Sequence, residues 1–289
     1  MNYRHQFHAG NFADVMKHAV LVQLLRARQQ KEKGLLYLDS HAGRGCYDLT
    51  VGSKGDTRPR DPEWPQGIGR LWSRLDLSPK LMEYLSIVRR FDHSRGNRET
   101  GPRFYPGSPY IARALVRTQD RIALFEKHPE EFAGLTEEFQ FASRASVQAL
   151  DGYVGLRAML PPPERRALVL MDPAFEAQDE FEQVAAALRD GLKRLPAGVF
   201  VIWYPLTERA RVKIFLEALT LFPAPPTLNL ELTIAGEQSG MKMRGCGLVV
   251  LNPPWKFDLS VEPMLRELAE IFSQGAGSGY RVDWLVPEK

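Results

Sequence analysis

Carboxylates follow four apolar runs of this sequence, each at the point where the run ends. The runs have the length of buried strands, and residues 167–171 form the clearest of them. In an open α/β sheet the ligand binds beyond the carboxyl ends of the parallel strands. A single acid in such a position is as often a solvated turn residue, but four in succession predict a shared site. The four acids are Asp39, Glu126, Asp151 and Asp172.

A glycine turn follows the first of these acids, with Gly43 and Gly45 after Asp39. It lacks the G-x-G-x-x-G spacing of dinucleotide sites, and an aspartate in front of the glycines would repel a pyrophosphate. An NAD-dependent oxidoreductase is therefore disfavoured. An acid beside a glycine turn suits a cofactor that has an amino end group and no phosphate, such as S-adenosylmethionine. Its amino group would pair with Asp39, its ribose hydroxyls with Glu126 and its adenine amine with Asp151.

The sharpest chemical signal is Asp172-Pro173-Ala174-Phe175. The exocyclic amine of a nucleobase is a poor nucleophile because its lone pair is delocalised into the ring. A carboxylate and a neighbouring backbone carbonyl can accept its two N–H bonds and localise that lone pair towards a sulfonium methyl group. Asp172 would supply the carboxylate, Pro173 the carbonyl and Phe175 an aromatic platform for a base turned out of its stack. The alternative interpretation is a tight turn after a buried strand, with Phe175 in the core.

A second motif, Asn252-Pro253-Pro254-Trp255, fits the amino-methyltransferase pattern [DNS]-P-P-[FYW] better than the first. The strand before it is predicted to be antiparallel, so its carboxyl end would point away from the cofactor edge. We therefore interpret it as a turn, with Trp255 packing on a helix.

Two histidines lie near the predicted site. His41 is inside the glycine turn, whereas His18 shares a helix face with Asp14 at a spacing of four residues. That second spacing is equally typical of a pair on a helix surface. Cys46 and Cys246 lie far apart, no group of residues has metal-ligand spacing, and no Gly-x-Ser-x-Gly elbow indicates a hydrolase.

The composition is that of an ordinary globular protein. The chain has 289 residues, of which 44% are hydrophobic and 25% charged, and its net charge is +3. No apolar run approaches the roughly 18 residues of a membrane span, and the polar N-terminus lacks the apolar core of a signal peptide. We expect a cytoplasmic protein with no membrane association. Residues 1–31 carry five basic side chains against Asp14 alone, which fits a polyanionic partner but also a solvated helix face.

The remaining pattern alternates between helices and strands. Helical spacing predicts a first helix over 11–31, with Asn11 as its N-cap. Two late strands, 227–234 and 247–251, have only a glycine-rich connection and are therefore predicted to be antiparallel. The fold class is α/β, with a Rossmann-like, mostly parallel sheet and one antiparallel strand. Further helices are predicted over 79–90, 108–118, 129–140, 179–195 and 207–221, and further strands over 35–38, 121–126, 145–150, 167–171 and 199–204.

Residues 46–106 differ from this pattern. Glycine, proline and arginine are frequent there, and Trp64 and Trp72 precede the one helical stretch. We predict a small inserted helical subdomain over 46–106. The main domain would then comprise 1–45, with an N-terminal helical extension, and 107–289.

Short motifs spread over the whole chain carry a family resemblance. They are Tyr3-Arg4-His5, Phe7-His8-Ala9-Gly10-Asn11, Ala13-Asp14-Val15, Lys17-His18, Leu38-Asp39-Ser40-His41-Ala42-Gly43, Tyr105-Pro106-Gly107-Ser108-Pro109, Glu126-Lys127-His128-Pro129, Asp151-Gly152 and Asn252-Pro253-Pro254-Trp255. In these motifs the sequence resembles the RlmJ family of 23S rRNA adenine-N6 methyltransferases, and the N-terminal block is specific.

The resemblance implies a class I methyltransferase fold with an inserted helical subdomain, acting on one adenine of 23S rRNA. It implies S-adenosylmethionine as cofactor, S-adenosylhomocysteine as product and no metal. It also implies Asp172 as the catalytic acid and Tyr3 as a contact to the RNA, with Arg4 beside it and Lys17 as a candidate for the same pocket. The resemblance places cofactor contacts at His18, His41, Ser108, Glu126, Asp151 and Gly152, to which the strand-end argument adds Asp39, Gly43 and Asp172.

One motif departs from the family pattern, which is Asp-Pro-Pro-Tyr. Here Ala174 replaces the second proline and Phe175 replaces the tyrosine. Phenylalanine stacks as well as tyrosine, but nothing after Pro173 now restricts its ψ angle. We expect lowered preorganisation of the turn rather than loss of activity.

The resulting hypothesis is methyl transfer to N6 of a flipped adenine in 23S rRNA, either protein-free or in an early assembly intermediate, by a monomer. The basic N-terminal helix and the arginine-rich insertion would contact phosphates. Two alternatives stay open: a DNA adenine-N6 methyltransferase, and a nucleic-acid-binding protein that has lost catalysis.

Overall fold

The computed structural model describes residues 5–51 and 61–288. The helices are α1 (His5–His8), α2 (Phe12–Gln29), α3 (Ile68–Trp72), α4 (Pro79–Ser94), α5 (Ser108–Arg113), α6 (Pro129–Phe139), α7 (Gly152–Met159), α8 (Glu180–Arg194), α9 (Arg209–Ala218) and α10 (Phe257–Phe272). The strands are β1 (Leu36–Asp39), β2 (Cys46–Asp48), β3 (Phe104–Pro106), β4 (Arg121–Phe125), β5 (Ala145–Gln148), β6 (Ala167–Met171), β7 (Val199–Pro205), β8 (Thr227–Thr233), β9 (Gly245–Leu251) and β10 (Gly279–Val286). Within these ranges no helix has both the length and the apolar composition needed to cross a bilayer.

In the described part of the chain, eight strands form one mixed sheet in the order β10-β8-β9-β7-β6-β1-β4-β5. The run from β7 to β5 is parallel throughout. Strand β9 is antiparallel to both of its neighbours, which confirms the predicted hairpin and the mostly parallel sheet. A second reversed strand, β10, pairs with β8 at the edge and was not predicted.

Helices cover both faces of the sheet, so the central strands are buried on both sides and consist almost entirely of apolar residues. Tyr37 of β1 packs into a core with α2, α4 and α10. Its neighbours Leu36 and Leu38 pack into a second core with α7, α8 and α9. The alternation of side chains along a strand therefore divides β1 between the two layers.

Helix α2 begins where the sequence predicts. The Asn11 side chain accepts a hydrogen bond from Asp14 N at 3.0 Å, as an N-cap residue does. Every residue from Phe12 to Leu25 is buried, although Asp14, Lys17 and His18 are polar. The interpretation of Asp14 and His18 as a surface pair is therefore wrong, because α4, α10 and the sheet enclose this helix.

The stretch 46–106 leaves the sheet after β1 and returns before α5. Strand β2 pairs antiparallel with β3, so that Cys46 lies opposite Pro106 and both ends of the stretch meet. Its apolar side chains, including Tyr84 and Leu85 of α4, belong to the same core as α2. The predicted helix at 79 is present and extends to Ser94. The division of the chain into a main domain and a subdomain stays a prediction.

Several elements differ from the sequence-based prediction. The helix predicted over 108–118 ends at Arg113, and α7, α10 and β10 were not predicted. Gly152 and Gly155 lower the helix propensity of α7. Neither position leaves room for a side chain, because a Cβ atom on Gly152 would lie 1.9 Å from Ser40 O and one on Gly155 would lie 2.4 Å from Phe125 Cδ1.

Candidate active site

The parallel strands bring the four predicted acids to one edge of the sheet. Asp39 ends β1 and is in register with Leu124 of β4 and Leu170 of β6. Glu126 and Asp172 follow those two strands directly, and Asp151 follows β5. The acids therefore lie along a continuous rim at the carboxyl ends of four neighbouring strands.

Asp39 is fully buried and almost surrounded by donors. Tyr37 Oη donates to its Oδ2 at 2.8 Å, and Ser108 Oγ donates to the same oxygen at 2.6 Å. Its Oδ1 accepts only a long bond of 3.3 Å from His41 N among the described residues. Burial raises the pKa of Asp39 to about 6, although these donors partly oppose the rise. Oδ1 thus keeps capacity for a further donor.

The glycine turn is joined to Glu126. Gly43 has a φ of +60°, in the left-handed region that glycine tolerates, and its N–H donates to Glu126 Oε2 at 2.9 Å. His128 N donates to Oε1 of the same carboxylate at 2.7 Å. Burial raises the pKa of Glu126 above its ordinary value. Burial also lowers the pKa of His41, in the same turn, to about 4, so this imidazole is neutral at physiological pH.

Asp151 is the N-cap of α7, and its Oδ1 accepts a hydrogen bond from Tyr153 N at 3.1 Å. Lys127 Nζ lies 3.1 Å from its Oδ2. Burial would raise the pKa of Asp151, but Lys127 and the N-cap bonds outweigh it and lower the pKa. With Gly152 against the Ser40 carbonyl, the start of α7 is pressed onto the turn after β1.

A buried chain of charges connects α2 with the end of β6. Lys17 Nζ lies 2.8 Å from Asp14 Oδ1 and 2.5 Å from Asp172 Oδ2. Burial would lower the pKa of Lys17, but these two carboxylates raise it well above its ordinary value. Asp14 Oδ2 in turn accepts from Gly10 N at 2.9 Å and lies 3.0 Å from His5 Nε2. Sequence reasoning proposed Lys17 but did not assign Asp14 or His5 to the site. The signal for Asp14 was its polar spacing with Lys17 and His18 on the otherwise apolar α2, whereas His5 lies on α1 and had no such signal.

His18 is also buried, and its Nδ1 lies 2.8 Å from Tyr105 Oη. Tyr105 Oη lies 2.9 Å from Tyr84 Oη. His18 Nε2 is buried and has no hydrogen-bond partner within residues 5–51 and 61–288. The sequence analysis placed Tyr105 in a family motif but assigned no role to it, and it did not single out Tyr84.

The four residues after β6 are those for which the sequence predicts contacts to the target base. Asp172 Oδ1 and the carbonyl oxygen of Pro173 accept no hydrogen bond from any described residue. Phe175 has a φ of 51°, which is strained for a bulky side chain. Its ring is half-buried and lies 4.7 Å from the Phe181 ring and 6.0 Å from the Trp203 ring.

The motif at Asn252 lies at the opposite edge of the sheet. Asn252 Nδ2 donates to the carbonyls of Pro196 and Gly198, both at 2.8 Å, just before the start of β7. Asn252 therefore lies away from the carboxyl ends of the parallel strands, as the predicted antiparallel direction of β9 requires, and this supports the argument against a catalytic role for Asn252-Pro253-Pro254-Trp255. The prediction that Trp255 packs on a helix is wrong, because 76% of its surface is exposed. Lys256 Nζ lies 5.7 Å from the centre of its ring.

Tyr3 and Arg4 lie outside the described residues. Six described arginines of the insertion, which the sequence assigned to RNA phosphates, contact protein acceptors in the structure. These contacts join Arg70 to Ile271 O, Arg74 to Asp76, Arg89 to Trp72 O, Arg95 to Glu138, Arg98 to His93 O and Arg103 to Asp48. The phosphate role of the insertion stays a prediction. Across the described ranges, no group of three or more His, Cys, Asp or Glu side chains could hold a metal ion.

Comparisons with known proteins give one consistent result. The family described as "Ribosomal RNA large subunit methyltransferase D, RlmJ" matches residues 32–286. The chain is 39% identical to "Ribosomal RNA large subunit methyltransferase J" of Escherichia coli (strain K12) and 37% identical to the protein of the same name of Haemophilus influenzae. Both alignments span 289 residues and cover 100% of either chain.

A crystal structure of a protein from Legionella pneumophila superposes with a TM-score of 0.86 at 34% identity. The superposition covers 96% of this chain and 98% of the other. The chain belongs to the RlmJ family of ribosomal RNA large subunit methyltransferases.

Proposed function

We propose that this protein transfers a methyl group from S-adenosylmethionine to the N6 amine of one adenine in 23S rRNA. The observation that carries the proposal is the Lys17–Asp172 contact of 2.5 Å, which holds a carboxylate with one free oxygen beside the rim of strand-end acids. Family membership supports the substrate class, because relatives 39% and 37% identical bear the name of a large-subunit rRNA methyltransferase.

The residues present fit S-adenosylmethionine. Asp39 Oδ1, which accepts only one long hydrogen bond from the described residues, can accept another from an ammonium group. The Glu126 carboxylate, with one N–H bond on each oxygen, can still accept from hydroxyl groups. His18 Nε2, which has no hydrogen-bond partner among the described residues, can donate to the carboxylate of the cofactor when it carries the proton. When bound, the cofactor supplies a sulfonium methyl group that needs no general acid to activate it.

Asp172 and Pro173 would then hold the target amine. Asp172 Oδ1 and the Pro173 carbonyl oxygen accept no hydrogen bond from the described residues, and these two acceptors match the two N–H bonds of an adenine amine. Lys17 fixes the other oxygen of Asp172 and keeps the carboxylate from rotating. Such fixed acceptors localise the amine lone pair and orient it, which is the contribution that preorganised sites make to rate.

Phe175 would stack on the flipped adenine. Its ring is already supported by Phe181 and Trp203, so stacking requires no reordering of these side chains. Phe175 has a φ of 51°, a strained backbone conformation of the kind that is concentrated at functional sites.

For the finer partners, we propose protein-free 23S rRNA or an early assembly intermediate, bound by a monomer in the cytoplasm. A base must be accessible to be turned into the pocket, and the packed interior of a finished ribosomal subunit restricts that access. Tyr3 and Arg4 are the proposed RNA contacts on the N-terminal side, whereas Lys17, also predicted to contact RNA, is buried and bound by Asp14 and Asp172.

The test is transfer of labelled methyl from S-adenosylmethionine to deproteinised 23S rRNA, followed by nucleoside analysis. We expect N6-methyladenosine at one position, and an Asp172→Asn variant that loses about 100-fold or more in rate. Asp76→Asn, at an exposed position outside the site, is the matched control and should act like the wild type. Product on a DNA substrate but not on rRNA, or cofactor binding without any transfer, would contradict the proposal.

A further inference from the structure

Three buried side chains form a hydrogen-bonded chain between the insertion and α2. Tyr84 of α4, Tyr105 of β3 and His18 of α2 are each at most 1% exposed. Their polar atoms follow one another at 2.9 Å, from Tyr84 Oη to Tyr105 Oη, and 2.8 Å, from Tyr105 Oη to His18 Nδ1.

We propose that Tyr84 and Tyr105 are positioning residues that keep the single proton of His18 on Nε2, so that Nε2–H donates to the carboxylate of the methionine moiety of S-adenosylmethionine. This inference rests on the proposed function. It assigns to the insertion a part in cofactor binding through two tyrosines that contact no cofactor themselves.

The direction of the chain follows from counting donors. If Tyr84 donates to Tyr105 and Tyr105 donates to His18 Nδ1, both hydroxyl hydrogens are bonded and only Nε2–H remains without an acceptor. In the opposite direction His18 Nδ1–H donates to Tyr105 and Tyr105 donates to Tyr84. The Tyr84 hydroxyl hydrogen and the Nε2 lone pair are then left unbonded in the core. In the free protein each direction leaves one buried donor without an acceptor, but only the first places that donor at Nε2, where a ligand carboxylate can accept it, so ligand binding favours the first direction.

His18 has only one proton to place. Burial lowers its pKa to about 3, with Lys17 and His5 acting in the same sense and Asp14 against it. A neutral imidazole donates through one nitrogen and accepts through the other. The tyrosine on Nδ1 therefore decides what the ring offers at Nε2.

The position of His18 favours an amino-acid moiety as its ligand. Tyr105 is three residues before Ser108, whose Oγ donates to Asp39 Oδ2 at 2.6 Å. The same short segment thus holds a donor at His18 and an acceptor at Asp39. An amino acid presents a carboxylate and an ammonium group, which need those two contacts.

The experiment uses the full chain and S-adenosylhomocysteine as the probe. In ¹⁵N spectra of the free protein, we expect the wild-type His18 ring to show one tautomer, protonated at Nε2. In Tyr105→Phe the ring nitrogen shifts should move towards an average of the two tautomers, and calorimetry should show about tenfold weaker binding. Tyr84→Phe leaves the contact to His18 in place and should weaken binding about two- to threefold.

Two further variants separate positioning from structure. Tyr204→Phe also removes a buried hydroxyl, one that donates to Asn229 Oδ1 at 2.7 Å, and should leave both the His18 shifts and the affinity unchanged. His18→Gln places an amide N–H near the position of Nε2 without needing a tautomer. In that background Tyr105→Phe should have no further effect on affinity.

A Tyr105→Phe protein with wild-type affinity and unmoved His18 shifts would overturn the inference while leaving the proposed function intact. A wild-type protein that binds no S-adenosylhomocysteine would overturn both. The two failures are distinguished because binding is measured without methyl transfer.

Discussion

Lys17 Nζ lies 2.5 Å from Asp172 Oδ2, although 155 residues separate them in the chain. The contact joins the middle of a buried helix to the first residue after β6, and a second carboxylate, Asp14, lies on the other side of the ammonium group at 2.8 Å. One cation therefore neutralises two buried or half-buried acids. Lys17 thereby fixes one oxygen of Asp172, while the other accepts no hydrogen bond from any described residue.

The first prediction concerns this contact. Lys17→Met should lower the rate of methyl transfer about 100-fold because Asp172 loses its fixed orientation. It should also lower the free energy of unfolding by about 3–5 kcal/mol because Asp14 is left as a buried charge. Single-turnover rates and denaturant unfolding measure the two effects. Asp14→Asn is the matched variant: it should lower stability while keeping most of the rate, and equal rate losses in both would argue against a role for the Lys17–Asp172 contact.

The second prediction concerns the pH dependence of cofactor binding. The pKa of Asp39 is raised to about 6, so its carboxylate is ionised at pH 7 and becomes protonated below pH 6. An ammonium group prefers the ionised form, so S-adenosylhomocysteine affinity should fall on acidification, by at most about tenfold per pH unit. Calorimetry between pH 5 and 8 tests this. Asp39→Asn should bind weakly with a flat profile; an equally steep profile in that variant would assign the proton to another group.

The third prediction concerns stability. His18 has a folded-state pKa of about 3 against 6.5 when unfolded, so between these values the unfolded chain binds a proton that the folded protein does not. The contribution of neutral His18 to the free energy of unfolding is therefore fully present above pH 6.5. It is lost as the pH falls towards 3, by up to about 1.4 kcal/mol per pH unit. Asp39, with its raised pKa, acts in the opposite sense between 6 and 3.8.

Comparison with His18→Gln isolates the histidine from Asp39 and from other groups. Chemical unfolding from pH 7 to 4.5 should show a steeper fall for the wild type than for this variant. Parallel curves would show that His18 is protonated as readily in the folded state as in the unfolded chain.

The fourth prediction concerns Gly152. An alanine there would bring a Cβ atom to 1.9 Å from Ser40 O and push α7 away from the turn after β1. We expect a loss of about 1–3 kcal/mol in unfolding free energy and weaker S-adenosylhomocysteine binding. Gly101→Ala is the control, because a Cβ atom at Gly101 meets nothing within 4 Å. Equal thermal unfolding and binding in both variants would contradict the close approach.

The fifth prediction separates the two aromatic motifs. Phe175→Ala should reduce methyl transfer by roughly 10- to 100-fold, the usual effect of a lost base-stacking platform. Trp255→Ala should transfer methyl groups at the wild-type rate, because Trp255 lies at the opposite edge of the sheet and is 76% exposed. The reverse result would move the base pocket to Asn252-Pro253-Pro254-Trp255.

The sequence by itself determined the parallel strands and the acids that end them. Runs such as Ala167–Met171 are apolar enough to be buried on both faces, and strand direction alone then places Asp39, Glu126 and Asp172 at one edge. The N-cap at Asn11 and the late hairpin are equally local signals. The sequence also contained the alternation of Tyr280, Val282 and Trp284 that forms β10, a signal that the prediction overlooked.

Only the tertiary structure decided how these acids are held. Lys17, His18 and Asp14 are polar residues whose burial depends on α4, α10 and the sheet enclosing α2, and no local pattern encodes that enclosure. Helix α7 was hidden for the same reason, since Gly152 and Gly155 are determined by the closeness of Ser40 and Phe125 and not by helix propensity. The periodicity of a segment indicates which of its side chains are exposed to water. It does not indicate that Lys17 contacts Asp172, 155 residues away, because that contact depends on how the helices pack on the sheet.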